Sequence, residues 1–288
     1  MSSPPSPIAS WHGGGRVGLI DRGNIAWRTV ESRLESDLRH ALEQDEIELL
    51  FQPQVSIASG RIVGVEALAR WHHPILGELG AHPLFAAAAR SDHLSQLSAH
   101  VQEKALRRAG HWPEALATLG IAVNVTASDL ARPDFAGRFA AMTAESGLDR
   151  SRVTVEITES EMIEELDAAA MLLAALRRDG FRIAIDDFGT GYSSLAYLKA
   201  LPLDYLKIDR RLTQDIVGSA RDRIVVLGVI EMARSLGLRV IAEGVETEAQ
   251  RDELARAGCD YYQGYLCAPP VGEAELERLV LAGVSVRD

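Results

Sequence analysis

The sequence predicts an α/β fold, a TIM-like (β/α)8 barrel with one antiparallel strand, and three observations carry the prediction. Eight runs of strand composition fall near residues 46–54, 62–68, 120–125, 152–157, 181–186, 204–208, 238–242 and 260–263, most of them separated by helix-length stretches. Three segments, LRRDGFRIAIDD, ARSLGLRVIAEG and LARAGCDYYQG, repeat one unit: a helix end, a glycine (Gly180, Gly237 or Gly258), a short strand, then an acid or amide. The first two strands are joined only by IASGR, too short for a crossover helix, so they must form an antiparallel hairpin.

Taken in order, residues 1–30 are rich in Ser, Pro and Gly (SSPPSP, then HGGGR), a composition that cannot bury enough apolar surface to order itself and reads as a flexible tail. From Glu31 the pattern ESRLESDLRHALEQ places Leu34, Leu38 and Leu42 on one face of a helix leading into a domain that spans 31–288. A helix over 160–179 has Ile163, Leu166, Ala170 and Leu173 in phase, Thr158 and Glu161 at capping-box spacing, and Arg177 and Arg178 at its negative end. In WHHPILG, His72 and His73 read as loop residues that pack rather than bind metal, and Ser193 and Ser194 of GTGYSS read as helix caps.

Composition narrows the function. With 288 residues, 47% hydrophobic and 25% charged, the chain can bury a sizeable core, and its net charge of -11 argues against binding polymeric nucleic acid or a membrane surface. No apolar run approaches the roughly 18 residues of a membrane span, and the start MSSPPSPIAS lacks signal-peptide order. Cys259 and Cys267 have neither metal-site nor disulfide spacing and read as buried free thiols, which implies a reducing, cytoplasmic setting.

In a barrel, reactive groups gather at the C-terminal ends of the strands. Here those ends carry Glu66 and Arg70, Asn124, Glu156 and Glu159, Asp186 and Asp187, Lys207 and Asp209, Glu243 and Glu246, and Gln263. Singly, each is better explained by a solvated loop or a helix cap, Asn124 and Gln263 above all. Together, so many carboxylates at one mouth would repel strongly without cations. All eight histidines lie at or before His111, which leaves oxygen ligands and favours magnesium or manganese over zinc. Hard cations suit phosphoryl chemistry. In that ring Lys207 would be a hydrogen-bonded partner orienting water or phosphate, and Arg70 offers a phosphate fork, with a surface ion pair as the alternative. The chain has no GxSxG, no GxxxxGK[ST] and no complete dinucleotide fingerprint.

The motifs VEALARWHHP, NVTASDL, VEITES, DDFGTGYSSLAYLK, LKIDR, IAEGVETEAQ and DYYQGYL resemble, in order and spacing, those of the EAL-type cyclic di-GMP phosphodiesterases, over residues 36–284. The resemblance implies hydrolysis of cyclic di-GMP to linear 5'-pGpG in bacterial second-messenger signalling, with two Mg2+ or Mn2+ ions per site. Carried over, Glu66, Asn124, Glu156 and Asp186 match metal ligands and Asp187 a ligand of the second metal. Glu243 matches the general base, and Lys207 and Asp209 help place the water. Glu246 and Gln263 match supporting contacts, and Gln52 and Arg70 match substrate contacts. Glu159 matches the residue that holds the DDFGTG loop in its active shape, a loop also tied to homodimer contacts.

The sequence departs from the usual pattern at Gly80-Ala81 and Ala88-Ala89-Arg90, which follow the second strand, and at Arg211, where Ser is usual. GGGRVGLID, before the lead helix, resembles the tail of a diguanylate-cyclase-like domain and reads as a remnant linker. Two other classes stay open: a silent receptor for cyclic di-GMP, disfavoured because the acids are all present, and another metal-dependent barrel hydrolase, which would not explain the full run of motifs. The regulatory partner is unspecified.

Overall fold

The structure, a computed structural model, describes residue 34 and residues 37–158, 166–189 and 195–283, the side chains of 195–197 excepted. Among the described residues nine strands form one sheet: β1 (Ile47–Ser56), β2 (Ile62–His73), β3 (Gly77–Leu79), β4 (Gly120–Asn124), β5 (Val153–Thr158), β6 (Arg182–Phe188), β7 (Tyr205–Ile208), β8 (Arg239–Ala242) and β9 (Tyr261–Gln263). Their order is β1-β9-β8-β7-β6-β5-β4-β2-β3, and a further pairing of β1 with β2 closes the ring. Within that ring β1 is antiparallel to both neighbours and the remaining pairs are parallel. The barrel with one reversed strand is therefore the observed fold. β3, which pairs only with β2, is the extra strand that the sequence reading missed.

The residues explain the closure. Central parallel strands are covered on both sides and carry near-continuous apolar runs. Ile183, Ala184 and Ile185 of β6, and Val153, Val155 and Ile157 of β5, are almost wholly buried. The helices α1 (residues 37–43), α2 (Ala81–Arg90), α3 (Leu94–Gly110), α4 (Ala127–Leu130), α5 (Phe135–Glu145), α6 (Leu166–Arg178), α7 (Leu195–Ala200), α8 (Arg210–Thr213), α9 (Ala220–Ser235), α10 (Glu248–Ala257) and α11 (Glu273–Ala282) accompany the strands. Leu34, Leu38 and Leu42 bury the lead face as their spacing predicts, and Ala169, Leu173 and Leu176 do so for α6. Thr247 and Gln250 cap α10 reciprocally, and Gly258 ends it in the left-handed conformation.

Two local expectations change. His72 and His73 lie in β2 rather than in a loop, because that strand runs on to pair with β3. His73 does pack: its ring meets Trp71 edge-on at 4.8 Å, its Nδ1 accepts from the backbone N–H of Ile75 and Leu76, and its Nε2 faces Asp37 Oδ2 at 3.2 Å. Cys259 is buried but Cys267 only partly so, and burial pushes their thiols up to about 12 and about 11. Glu159, Glu161, Ile163, Gly191, Ser193 and Ser194 lie outside the described residues. So does the tail to residue 30. Among the described residues no helix is long and apolar enough to cross a membrane.

Candidate active site

A barrel strand turns alternate residues inward, so positions two apart share the interior. That alternation gathers Gln52, Glu66, Asn124, Glu156, Asp186, Lys207, Glu243 and Gln263 toward one end, the C-terminal mouth. Register binds them in pairs: Gln52 faces Glu66, and Asn124 faces Glu156.

Lys207 is at the centre. Its Nζ, fully buried, lies 3.2 Å from Glu66 Oε2, 3.0 Å from Glu156 Oε2, 3.0 Å from Asp186 Oδ2 and 2.9 Å from Glu243 Oε1. Four carboxylates against one ammonium leave three negative charges for protons or further cations to neutralise. Burial pushes Lys207 down, but the four acids hold it well above the ordinary lysine value. Burial likewise raises Glu156 far above a normal carboxylate and carries Glu243 to about 8, while Lys207 opposes both shifts. Asp186 is raised for the same reason. Glu66 ends below the usual range, because Lys207 and the amides of Gln263 and Asn124 outweigh its burial. Those amides donate to Glu66 at 2.7 Å and 3.0 Å, and Gln263 also donates to Gln52 Oε1 at 3.1 Å.

Consecutive strand residues normally point to opposite faces, yet Asp186 and Asp187 serve one mouth. Between the pairs Ile185–Leu206 and Phe188–Ile208, three steps on β6 stand against two on β7, which is a bulge of one residue. Asp187 takes up the slack in the left-handed region at φ 56°, which aspartate tolerates better than most residues, and its N–H donates to Asp186 Oδ1 at 2.7 Å. Burial, Asp186 and Asp209 push Asp187 up to about 6. Gly189 follows at φ 100°, where a Cβ would lie 2.3 Å from Leu212 Cδ1.

Two groups of ligand atoms lie within 4.8 Å of one another: Glu66, Glu156 and Asp186, and Asp186, Asp187 and Glu243. Glu156 Oε1 is buried with no hydrogen-bond partner, a costly state for an acceptor unless a cation meets it. An all-oxygen set with an unsatisfied carboxylate oxygen and surplus negative charge fits hard divalent cations.

The remaining candidates surround this core. Asp209 caps α8 and accepts from Arg211 N at 2.9 Å and Arg211 Nε at 2.8 Å. Arg70 donates to Ala69 O at 2.8 Å and lies 3.7 Å from Glu78, so both roles allowed by its sequence context remain within reach. Glu246 stands exposed on the rim, its N–H donating to Gln250. A cleft of about 360 Å3 joins Gln52, Glu66, Arg70, Asp186, Asp187, Glu243, Glu246 and Gln263. Asn124, Glu156, Lys207 and Asp209 support it without lining it. Sequence reasoning passed over Arg210 and Tyr265, which also line this cleft. Each follows a strand-end candidate by one or two positions, and that adjacency was the available signal.

The chain matches the EAL domain over residues 35–270. It is 40% identical over 270 residues to the cyclic di-GMP phosphodiesterase NbdA of Pseudomonas aeruginosa, covering 92% of this chain and 34% of that protein. It is 37% identical over 245 residues to the bifunctional diguanylate cyclase/cyclic di-GMP phosphodiesterase MucR of the same organism, covering 85% and 36%. It thus spans about a third of the length of these curated relatives. Among solved structures it is similar to PaMucR phosphodiesterase in its c-di-GMP complex, with a TM-score of 0.80, 37% identity, and coverage of 85% of this chain and 99% of that one. The EAL enzyme Bd1971 with cAMP and cyclic di-GMP gives a TM-score of 0.83 at 27% identity, covering 88% and 70%.

Proposed function

We propose that this chain, which belongs to the EAL domain family, is a metal-dependent phosphodiesterase that opens cyclic di-GMP to linear 5'-pGpG. The observation that carries this reading is the pair of carboxylate groups sharing Asp186 at one barrel mouth. Glu66, Glu156 and Asp186, with Asn124, would hold one Mg2+ or Mn2+, and Asp186 and Asp187 a second. Such ions supply charge neutralisation at phosphate oxygens and acidify water.

The chain's own groups do the rest. Glu243, which burial carries to about 8, takes a proton from the attacking water in its ionised form. The water oxygen bonds to phosphorus, the bond from phosphorus to the 3'-oxygen breaks, and that oxygen takes a proton from solvent to leave as a hydroxyl while Glu243 releases the proton it accepted. Lys207 and Asp209 position the water. Arg70 and Gln52, lining the cleft, bind the dinucleotide, and Tyr265 offers a flat, exposed face for a purine. Gln263 fixes Glu66 through its 2.7 Å hydrogen bond, and Glu246 supports the rim. The same reading includes a homodimer and gives Glu159 the task of shaping the loop after Asp187.

Purified protein incubated with cyclic di-GMP and Mg2+, Mn2+ or a chelator tests the proposal by nucleotide chromatography. Metal-dependent pGpG, absent in Glu66→Ala, is the expected result. Tight nucleotide binding without product would make the chain a receptor instead.

A further inference from the structure

The inward alternation that builds the mouth has a second end. Two residues before Glu66, Glu156, Lys207 and Gln263 stand Gly64, Thr154, Tyr205 and Tyr261, and with Gln54, Gly120, Arg152 and Arg239 they line a cavity of about 260 Å3 at the N-terminal end of the strands. Part of the space exists because Gly64 and Gly120 bring no side chain: a Cβ on Gly64 would meet Gln54 Oε1 and Gly120 O at 3.3 Å.

The charge of this cavity is opposite to that of the chain. In a protein of net charge -11, its lining holds two guanidiniums and no carboxylate. Arg152 uses Nε on Leu119 O at 2.9 Å, but its Nη2 is buried with no hydrogen-bond partner. Arg239 donates to the Tyr261 hydroxyl at 3.0 Å, so that hydroxyl keeps its own proton to donate. Thr118, Thr154 and Tyr205 add hydroxyls.

Three acids outside the lining each hold a hydrogen bond of their own, although Asp149 also attracts Arg152 and Asp260 also attracts Arg239. Asp149 accepts from Ser151 N and Oγ, Asp204 from Ile183 N and Arg177, and Asp260 from Val240 N. Unpaired buried guanidinium nitrogen, surrounding hydroxyls and the absence of a lining acid are the chemistry that receives an oxyanion. The volume falls below the roughly 300 Å3 at which drug-sized sites begin, which restricts the ligand to a small one.

We infer that the N-terminal end of the barrel binds a small oxyanion, held by Arg152 and Arg239 and separate from the acidic mouth. Calorimetric titration of the whole chain, stripped of divalent cations, with inorganic phosphate and in parallel with malonate tests this. Arg70 and Arg210 line the mouth, so the variants at Arg152 and Arg239 assign the site, and a failure of the proposed catalytic reading would not alter their result. The expected result is saturable 1:1 binding of phosphate or malonate, weakened at least about tenfold in Arg152→Met, the loss expected for a charge-assisted hydrogen bond. The anion that binds tells phosphate from carboxylate chemistry. Because Arg152 also braces Leu119, Arg239→Met is the second variant and should weaken binding in a protein whose circular dichroism is unchanged. Absence of saturable binding for both anions, or equal binding in folded variants, would overturn the inference.

Discussion

The two carboxylate groups of the mouth share Asp186 but live in different solvents. In the deep group the side chains of Glu66, Glu156 and Asp186 are 7%, 0% and 11% exposed, and all three touch Lys207. In the shallow group Glu243 is 18% exposed and Asp187 is half-buried, open to the cleft where a substrate would enter. The difference is one of access: Lys207 reaches Glu243 as well as the deep acids, but only Glu243 and Asp187, carried to about 8 and about 6, open to the cleft. Groups that titrate there can exchange protons at physiological pH.

The comparison can be broken hardest at its centre. Lys207→Met leaves the deep acids without their cation, and denaturant titration in a chelator should show a loss of roughly 3–5 kcal/mol, the usual consequence of stripping one partner from a buried ion pair. Mn2+ should restore part of it, and an unchanged midpoint would show that protons alone neutralise the deep group. In the shallow group, Glu243→Gln should keep nucleotide affinity in calorimetry while kcat falls about 10²–10⁴-fold, as expected for a lost general base. Normal turnover would remove Glu243 from that role.

A pH series sharpens the contrast further. Glu243, Glu156, Asp186 and Asp187 have raised values, so the folded chain binds more protons than the unfolded one from about 4.3 up to about 8, and its stability should fall as pH rises through that window. Glu66, shifted the other way, loses its contribution only in more acid solution, and the Lys207 contribution is lost only above the ordinary lysine value. Thermal melts in a chelator should therefore decline from pH 5.5 to 8, whereas the Tm gain on adding Mn2+ should grow, because binding releases protons. A flat Mn2+ increment would contradict these shifts. The smallest effect belongs to Arg211→Ser. Its side chain is 67% exposed, so releasing Asp209 should change stability by less than about 1 kcal/mol, and the informative readout is KM against kcat.

Much of this was legible because barrels read strands in steps of two. Val155, Glu156 and Ile157 already state which neighbours face the helices and which face the interior, and the eight proposed runs coincide with eight of the observed strands. What stayed hidden depends on departures from that rhythm. The bulge that brings Asp186 and Asp187 together is one residue of slippage against β7, which no local composition announces. β3 is three residues long and owes its existence to the extension of β2 beyond the barrel. Lys207 was expected to orient a water or a phosphate, but its four-way contact arises from strands far apart in the chain. The basic cavity escaped notice for a simpler reason: Arg152 and Arg239 stand at strand beginnings, where attention to strand ends does not reach.

Lys207 also gives the mouth the character of a cation exchanger. The folded chain carries a tethered counter-ion among its acids, so a divalent ion entering there competes with an ammonium on a flexible stem as well as with protons. Apparent metal affinity then reports a difference between two occupants. Selectivity can accordingly be tuned by how firmly the tether holds, without altering a single ligand.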